Sequence, residues 1–241
     1  AASDVYKRQV ENCANLAFSF LTGAMDEGFY RNKLTGYTKT PFDSLQAKYA
    51  GRLMNHSADS LFRHRIELIP NCGHSIDYSL TTPWLKTYKR NPYPHTFMWE
   101  DYPMDGQRRQ GFYNLYVMKR PKAADGLKDA SGEDRDYYEM DIKDNVIRLS
   151  VRKVTYQTVE RDPVYGIDLK FTKSYHPVIG GKWKIYLNDQ LVDMNRPITV
   201  FINDRKVFEG KLVPRMEDMI TSCMEYFDPC RVFPASVDVA L

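Results

Sequence analysis

Apolar positions along the chain follow two regimes, and the change between them falls near residue 91. Upstream of it, apolar residues come in short unbroken runs or at helical spacing. Residues 16–22 are nearly continuous apolar and predict a buried strand. Continuity rather than alternation favours a parallel strand covered on both faces. Residues 64–69 predict a second strand, which stops at the Pro70-Asn71 turn signal. Between them, residues 23–40 read as a polar loop containing Gly and Tyr. Thr40 then reads as an N-cap, with Pro41 at the first helical position. The helix is expected to reach about Ser57, with Leu45, Tyr49, Leu53 and Met54 on one stripe. Strand, crossover helix and strand is the unit that joins parallel neighbours, almost always right-handedly. Thr82-Pro83 repeats the cap pattern and predicts a short helix, ended by Asn91-Pro92-Tyr93-Pro94.

Downstream the period becomes two. Strands are expected at 96–101, 111–118, 146–151, 166–172, 182–187, 198–203, 206–213 and 231–239. Asn203-Asp204-Arg205 predicts a tight hairpin turn. Residues 121–136 read as an exposed loop, and the stretch from Pro214 to Ile220 is expected to start a short helix before the last strand. The expected fold class is therefore α/β plus all-β. Residues 10–91 form a strand-helix-strand portion of a parallel sheet, and residues 92–241 an Ig-like β-sandwich. Residues 1–9 fit neither pattern and read as a non-native leader.

Composition narrows the chemistry. A length of 241 residues suits one large domain or two small ones. A net charge of +3, with no clustered basic run, gives no footprint for nucleic acid. No apolar segment approaches the roughly 18–20 residues that span a bilayer. The four cysteines show no C-x-x-C spacing, and no metal or other cofactor is expected. Cys223 and Cys230, seven residues apart, read either as free thiols or as a bridge.

Two strand ends carry the candidate site. Gly23-Ala24-Met25-Asp26 delivers a carboxylate from the first, and Gly73-His74 an imidazole from the second. Adjacent strand tips offering these two groups supply the acid and base of a nucleophile-activating triad. Glu27, Asp43 and Asp59 are weaker candidates for the acid, and Asp43 better suits the first turn of the helix. Cys72 lies too close in sequence to His74 to be aimed at it. His56 and His64 are expected at the surface, His95 and His176 in turns, and Trp84 and Trp183 in the core. An aromatic row on the β domain would offer an alternative role as a glycan- or peptide-binding module without catalysis.

Those motifs and their order resemble the C-terminal end of an α/β-hydrolase, of the esterase and prolyl-oligopeptidase-like kind. In that family the acid follows the penultimate strand as G-x-x-D and the histidine follows the last as G-H. The stretch from Pro83-Trp84-Leu85 to Arg90-Asn91-Pro92 is similar to hydrolases that continue into a C-terminal β domain. Tyr186-Leu187-Asn188-Asp189, Val207-Phe208-Glu209-Gly210 and Val232-Phe233-Pro234-Ala235 look like that domain. The resemblance covers about residues 15–241. It implies a serine hydrolase acting on an ester or peptide bond, with Asp26 as acid and His74 as base. A periplasmic or secreted parent protein is the expectation. The family's nucleophile elbow, G-x-S-x-G, does not occur; Gly73-His74-Ser75-Ile76-Asp77 is a partial echo. The chain therefore reads as a fragment, inactive alone.

Overall fold

The computed structural model describes residues 10–51, 60–103, 107–126 and 135–241. The expected leader, the end of the first expected helix with His56, Asp59, and much of the 121–136 loop lie outside the described residues. The fold is mixed α/β and rich in strands. It divides into two compact units. One holds the residues up to Asn91 together with Tyr156–Lys173; the other holds Pro92–Thr155 and Ser174–Leu241. Residues 156–173, expected in the β domain, thus cluster with the first unit.

In the first unit, strands β1 (Phe18–Gly23) and β2 (His64–Ile69) pair in parallel, from Phe18 opposite His64 to Gly23 opposite Ile69. The helix between them, α1 (Arg31–Lys48), begins ten residues earlier than its sequence signal. Pro41 is not at its first turn but inside it, although a proline there cannot donate to the carbonyl four residues back. Packing outweighs that loss. Leu34, Thr35, Thr38 and Phe42 form a buried stripe, and Phe42 stacks on Phe18 with ring centroids 4.8 Å apart. The hydroxyls of Thr35, Thr38 and Thr40 donate to carbonyls one turn back, at Arg31, Leu34 and Gly36. What reads as a polar loop is therefore a helix whose threonines bond inward. A short helix, α2 (Thr81–Lys86), starts without a side-chain cap. Cover over the pair is incomplete, and Leu68 is 41% exposed.

The second unit holds two main sheets around one core. Strands β3 (Thr96–Asp101), β4 (Gly111–Phe112), β5 (Leu115–Lys119), β7 (Arg135–Lys143), β11 (Lys182–Leu187), β12 (Ile198–Ile202), β13 (Arg205–Gly210) and β14 (Ala235–Ala240) belong to it. A small pair, β6 (Lys122–Ala123) and β10 (Val178–Ile179), lies apart. One sheet runs β14-β11-β5-β4; the other runs β13-β12-β8-β7-β3, where β8 is Val146–Arg161 and also pairs with β9 (Asp168–His176). Fully buried Trp183, Ile185 and Leu115 from the first sheet join Tyr138, Leu149 and Val200 from the second. The 203–205 turn forms as expected, with Asn203 and Asp204 both at positive φ. Helix α3 (Met216–Tyr226) starts within the stretch where a short helix is expected to begin.

β7 is a strand that the sequence pattern hid. Its first residues looked like the end of a polar loop, yet Asp136 is wholly buried. Its carboxylate meets Lys153 at 2.7 Å and Arg120 at 2.9 Å, and neighbouring Arg135 meets buried Glu100 at 2.9 Å. Charge is tolerated inside this sheet because each buried ion has a partner.

The two units should differ in resistance to opening. A two-stranded parallel sheet with partial cover lacks the enclosed core of the second unit. Native-state hydrogen exchange should show β1 and β2 amides exchanging at least a hundredfold faster than those of β11 and β12.

Candidate active site

The site begins where β1 and β2 end together. Past Gly23 and Ile69, the Ala24 amide donates to the Ile69 carbonyl and the Met25 amide to the Cys72 carbonyl, each at 2.9 Å. Asn71, at φ 56°, turns the chain back after β2. This close approach requires glycine at position 23. A Cβ there would overlap the carbonyl oxygens of Cys72 and Gly73 and lie 2.7 Å from the Cys72 carbonyl carbon. No such crowding exists at Gly73, where a Cβ would meet open space.

Asp26 follows in a tight turn, its amide donating to the Gly23 carbonyl at 3.0 Å. The start of α1 holds the turn from the other side. The Asn32 amide donates to the Asp26 carbonyl at 3.1 Å, and Asn32 Nδ2 donates to the Ala24 carbonyl at 3.0 Å. So placed, the Asp26 side chain is buried and its Oδ2 lies 3.0 Å from His74 Nδ1. The two residues are 48 apart in sequence and meet because their strands are parallel and in register. An ionised carboxylate can only accept, so the bond requires the proton on Nδ1, and in the neutral ring Nε2 then presents a lone pair. The imidazole is 76% exposed, which leaves Nε2 open to a reacting group. Beside the pair is a hollow of about 160 Å³, walled by Phe20, Leu34, Ile76 and Tyr78.

Sequence reading missed Arg31. Its Nε donates to Asp26 Oδ2 and its Nη2 to Oδ1, both at 2.8 Å. This two-pronged contact fixes the carboxylate plane. The Arg31 bonds, and after them the bond from His74, hold the Asp26 carboxyl down at about 2. An arginine five residues after the candidate acid was visible, but the misplaced helix start left it in a loop. Arg31 is reached through two aromatic residues in left-handed backbone, Phe29 at φ 51° and Tyr30 at φ 55°. Such a conformation costs a non-glycine residue about 1–2 kcal/mol.

The remaining candidates lie elsewhere. Asp43 is in the middle of α1 rather than its first turn, paired with Lys39 at 2.6 Å and His64 at 3.0 Å. His64 is buried against Phe42 rather than at the surface. Glu27 sits at the N-cap of the 3-10 turn Gly28–Tyr30 without a side-chain bond there. Cys72 contributes its carbonyl, and all four cysteines are free. His95 bonds the Gln190 carbonyl; His176 ends β9 rather than lying in a turn, and bonds Thr155 and Asp125. Trp183 is a core anchor, whereas Trp84 is half-buried beneath the Arg63 guanidinium. Among the described residues, no cluster of His, Cys, Asp and Glu could hold a metal ion, and no helix is long and apolar enough to cross a membrane.

In comparisons with known proteins, no family model matches the chain, and neither a curated protein nor a solved structure matches it.

Two outcomes test this geometry. Gly23→Ala should destabilise the first unit by several kcal/mol, about the 1–3 kcal/mol of an overpacked site or more, whereas Gly73→Ala should fold as the parent does; urea titration followed by circular dichroism compares them. The folded Asp26 carboxyl also titrates below its ordinary value of about 3.9, so the unfolded chain binds the extra proton between these values. Its stabilisation is therefore complete above about pH 4 and lost as pH falls towards 2. Asp26→Asn should flatten the stability profile in that window.

Proposed function

We propose that Asp26 and His74 are the acid and base of a serine hydrolase of the α/β-hydrolase type, one that cleaves an ester or peptide bond. The second unit is, in this reading, an Ig-like β-sandwich accessory to it. The observation that carries the reading is the 3.0 Å bond between His74 Nδ1 and Asp26 Oδ2 at the ends of two parallel strands. Acid before base in chain order agrees with the resemblance drawn from the sequence.

The chemistry would run through His74 Nε2. It takes the proton of an attacking serine hydroxyl as the hydroxyl oxygen bonds to the substrate carbonyl carbon. It then returns that proton to the leaving alcohol or amine. Asp26 stays ionised throughout, holding the Nδ1–H tautomer and favouring the imidazolium that forms in between. Arg31 fixes the carboxylate so that its Oδ2 faces the ring. The hollow beside the pair would receive an apolar acyl or side-chain group.

These 241 residues contain no G-x-S-x-G turn. The reading therefore requires that element in frame upstream of residue 1, and sequencing the DNA there tests it. It also sets the activity expected of the chain alone. Hydrolysis of p-nitrophenyl acetate should be indistinguishable between the purified chain and its His74→Ala variant. A clear excess of turnover in the unsubstituted chain would overturn the assignment of the nucleophile to another segment.

A further inference from the structure

The outer half of the β8–β9 hairpin belongs to the first unit, and its tip meets the two residues that lead into Arg31. The Tyr165 ring packs on Phe29 with centroids 4.7 Å apart, and edge-on to Tyr30 at 6.0 Å. The Asp162 carboxylate lies close enough to the Tyr30 hydroxyl to push that hydroxyl's ionisation up. Asp162 also organises the tip. It accepts the Tyr165 amide through its side chain, its carbonyl accepts the Gly166 amide at 3.0 Å, and its amide donates to the Ile167 carbonyl at 2.8 Å. Asp162 is almost wholly buried, while the Phe29 and Tyr165 rings that pack on one another are each about half exposed.

The residues held by the tip are those least able to hold themselves. Two successive aromatic side chains in left-handed backbone persist only where surrounding structure over-determines them. Their release would let Phe29 and Tyr30 relax towards ordinary backbone angles. Arg31 follows them directly, and its guanidinium also lies 5.7 Å over the Phe29 ring. Relaxation would therefore swing the fork away from Asp26, freeing the carboxylate to turn.

We infer that the hairpin tip, residues 162–166, positions the acid–base pair: it clamps Phe29 and Tyr30, they place Arg31, and Arg31 fixes the Asp26 carboxylate that orients His74. Tyr165 is thus a positioning residue with no contact to the imidazole. The role in catalysis rests on the hydrolase reading; the positional claim does not.

The test is the tautomer of His74 in the intact chain, read from long-range 1H–15N NMR correlations at a pH where the ring is neutral. Free neutral imidazole favours Nε2–H, so a dominant Nδ1–H form reports the Asp26 bond. The unsubstituted chain should show mainly Nδ1–H. Tyr165→Ala should reverse that ratio and lower the exchange protection of the Asn32 amide at least tenfold, while Tyr165→Phe keeps both as in the parent. A merely structural role for Tyr165 would not move the tautomer in a folded chain. An unchanged ratio in Tyr165→Ala overturns the inference and leaves the hydrolase reading standing. Predominant Nε2–H in the unsubstituted chain instead removes the acid–base pair itself. Should β1 amides show that the first unit of Tyr165→Ala does not fold, Tyr30→Phe, which deletes only the hydroxyl beside Asp162, serves in its place. It should lower Asn32 protection at least twofold, and no change there overturns the clamp.

Discussion

The backbone contact at the ends of β1 and β2 is the constraint on which the site depends. Two carbonyls from the turn after β2 press against position 23, and only a residue without a side chain leaves them room. With that room, the ladder continues two bonds beyond the strands. Asp26 and His74 are then delivered from fixed points instead of from loops that sample many positions. Precision of this kind is costly in side-chain and backbone freedom, and here strand register supplies most of it.

Around that point the protein uses charge in two ways. In the first unit a single buried carboxylate is shared by an arginine fork and an imidazole, so one anion serves both as anchor and as orienting group. In the second unit, the buried carboxylates of β3 and β7 are matched by basic side chains, Glu100 by Arg135 and Asp136 by Lys153 and Arg120. The same residue types thus form a candidate site in one place and architecture in the other. The difference lies in exposure of the basic partner: His74 is open to solvent, while Lys153 and Arg135 are enclosed.

Much of the site was legible in the chain because glycine and turn signals mark strand ends. Gly23 through Asp26 and Pro70 through His74 announced two tips, and the parallel pairing that joins them follows from a helix between two apolar runs. The helix itself was misplaced, since Thr40-Pro41 imitates a start while the true stripe is partly threonine, whose inward bonds no hydropathy pattern reveals. Arg31 was lost with the misplaced start. β7 escaped because its buried Arg135 and Asp136 look like loop residues until their partners, distant in sequence, are known. The outer hairpin was invisible for a related reason: strand alternation in 156–173 says that a strand exists, not which unit it joins.

The continuity of β8 and β9 through both units gives the molecule a directional folding hierarchy. Their inner halves pair within the second unit's sheet, and their outer halves complete the first. Melting of the first unit need not disturb the other's core, but collapse of that core withdraws the scaffold from which the outer hairpin extends. A lesion in the second unit's core would then be felt at the Asp26–His74 pair, whereas the reverse trespass would stop where the strands pass from one unit into the other.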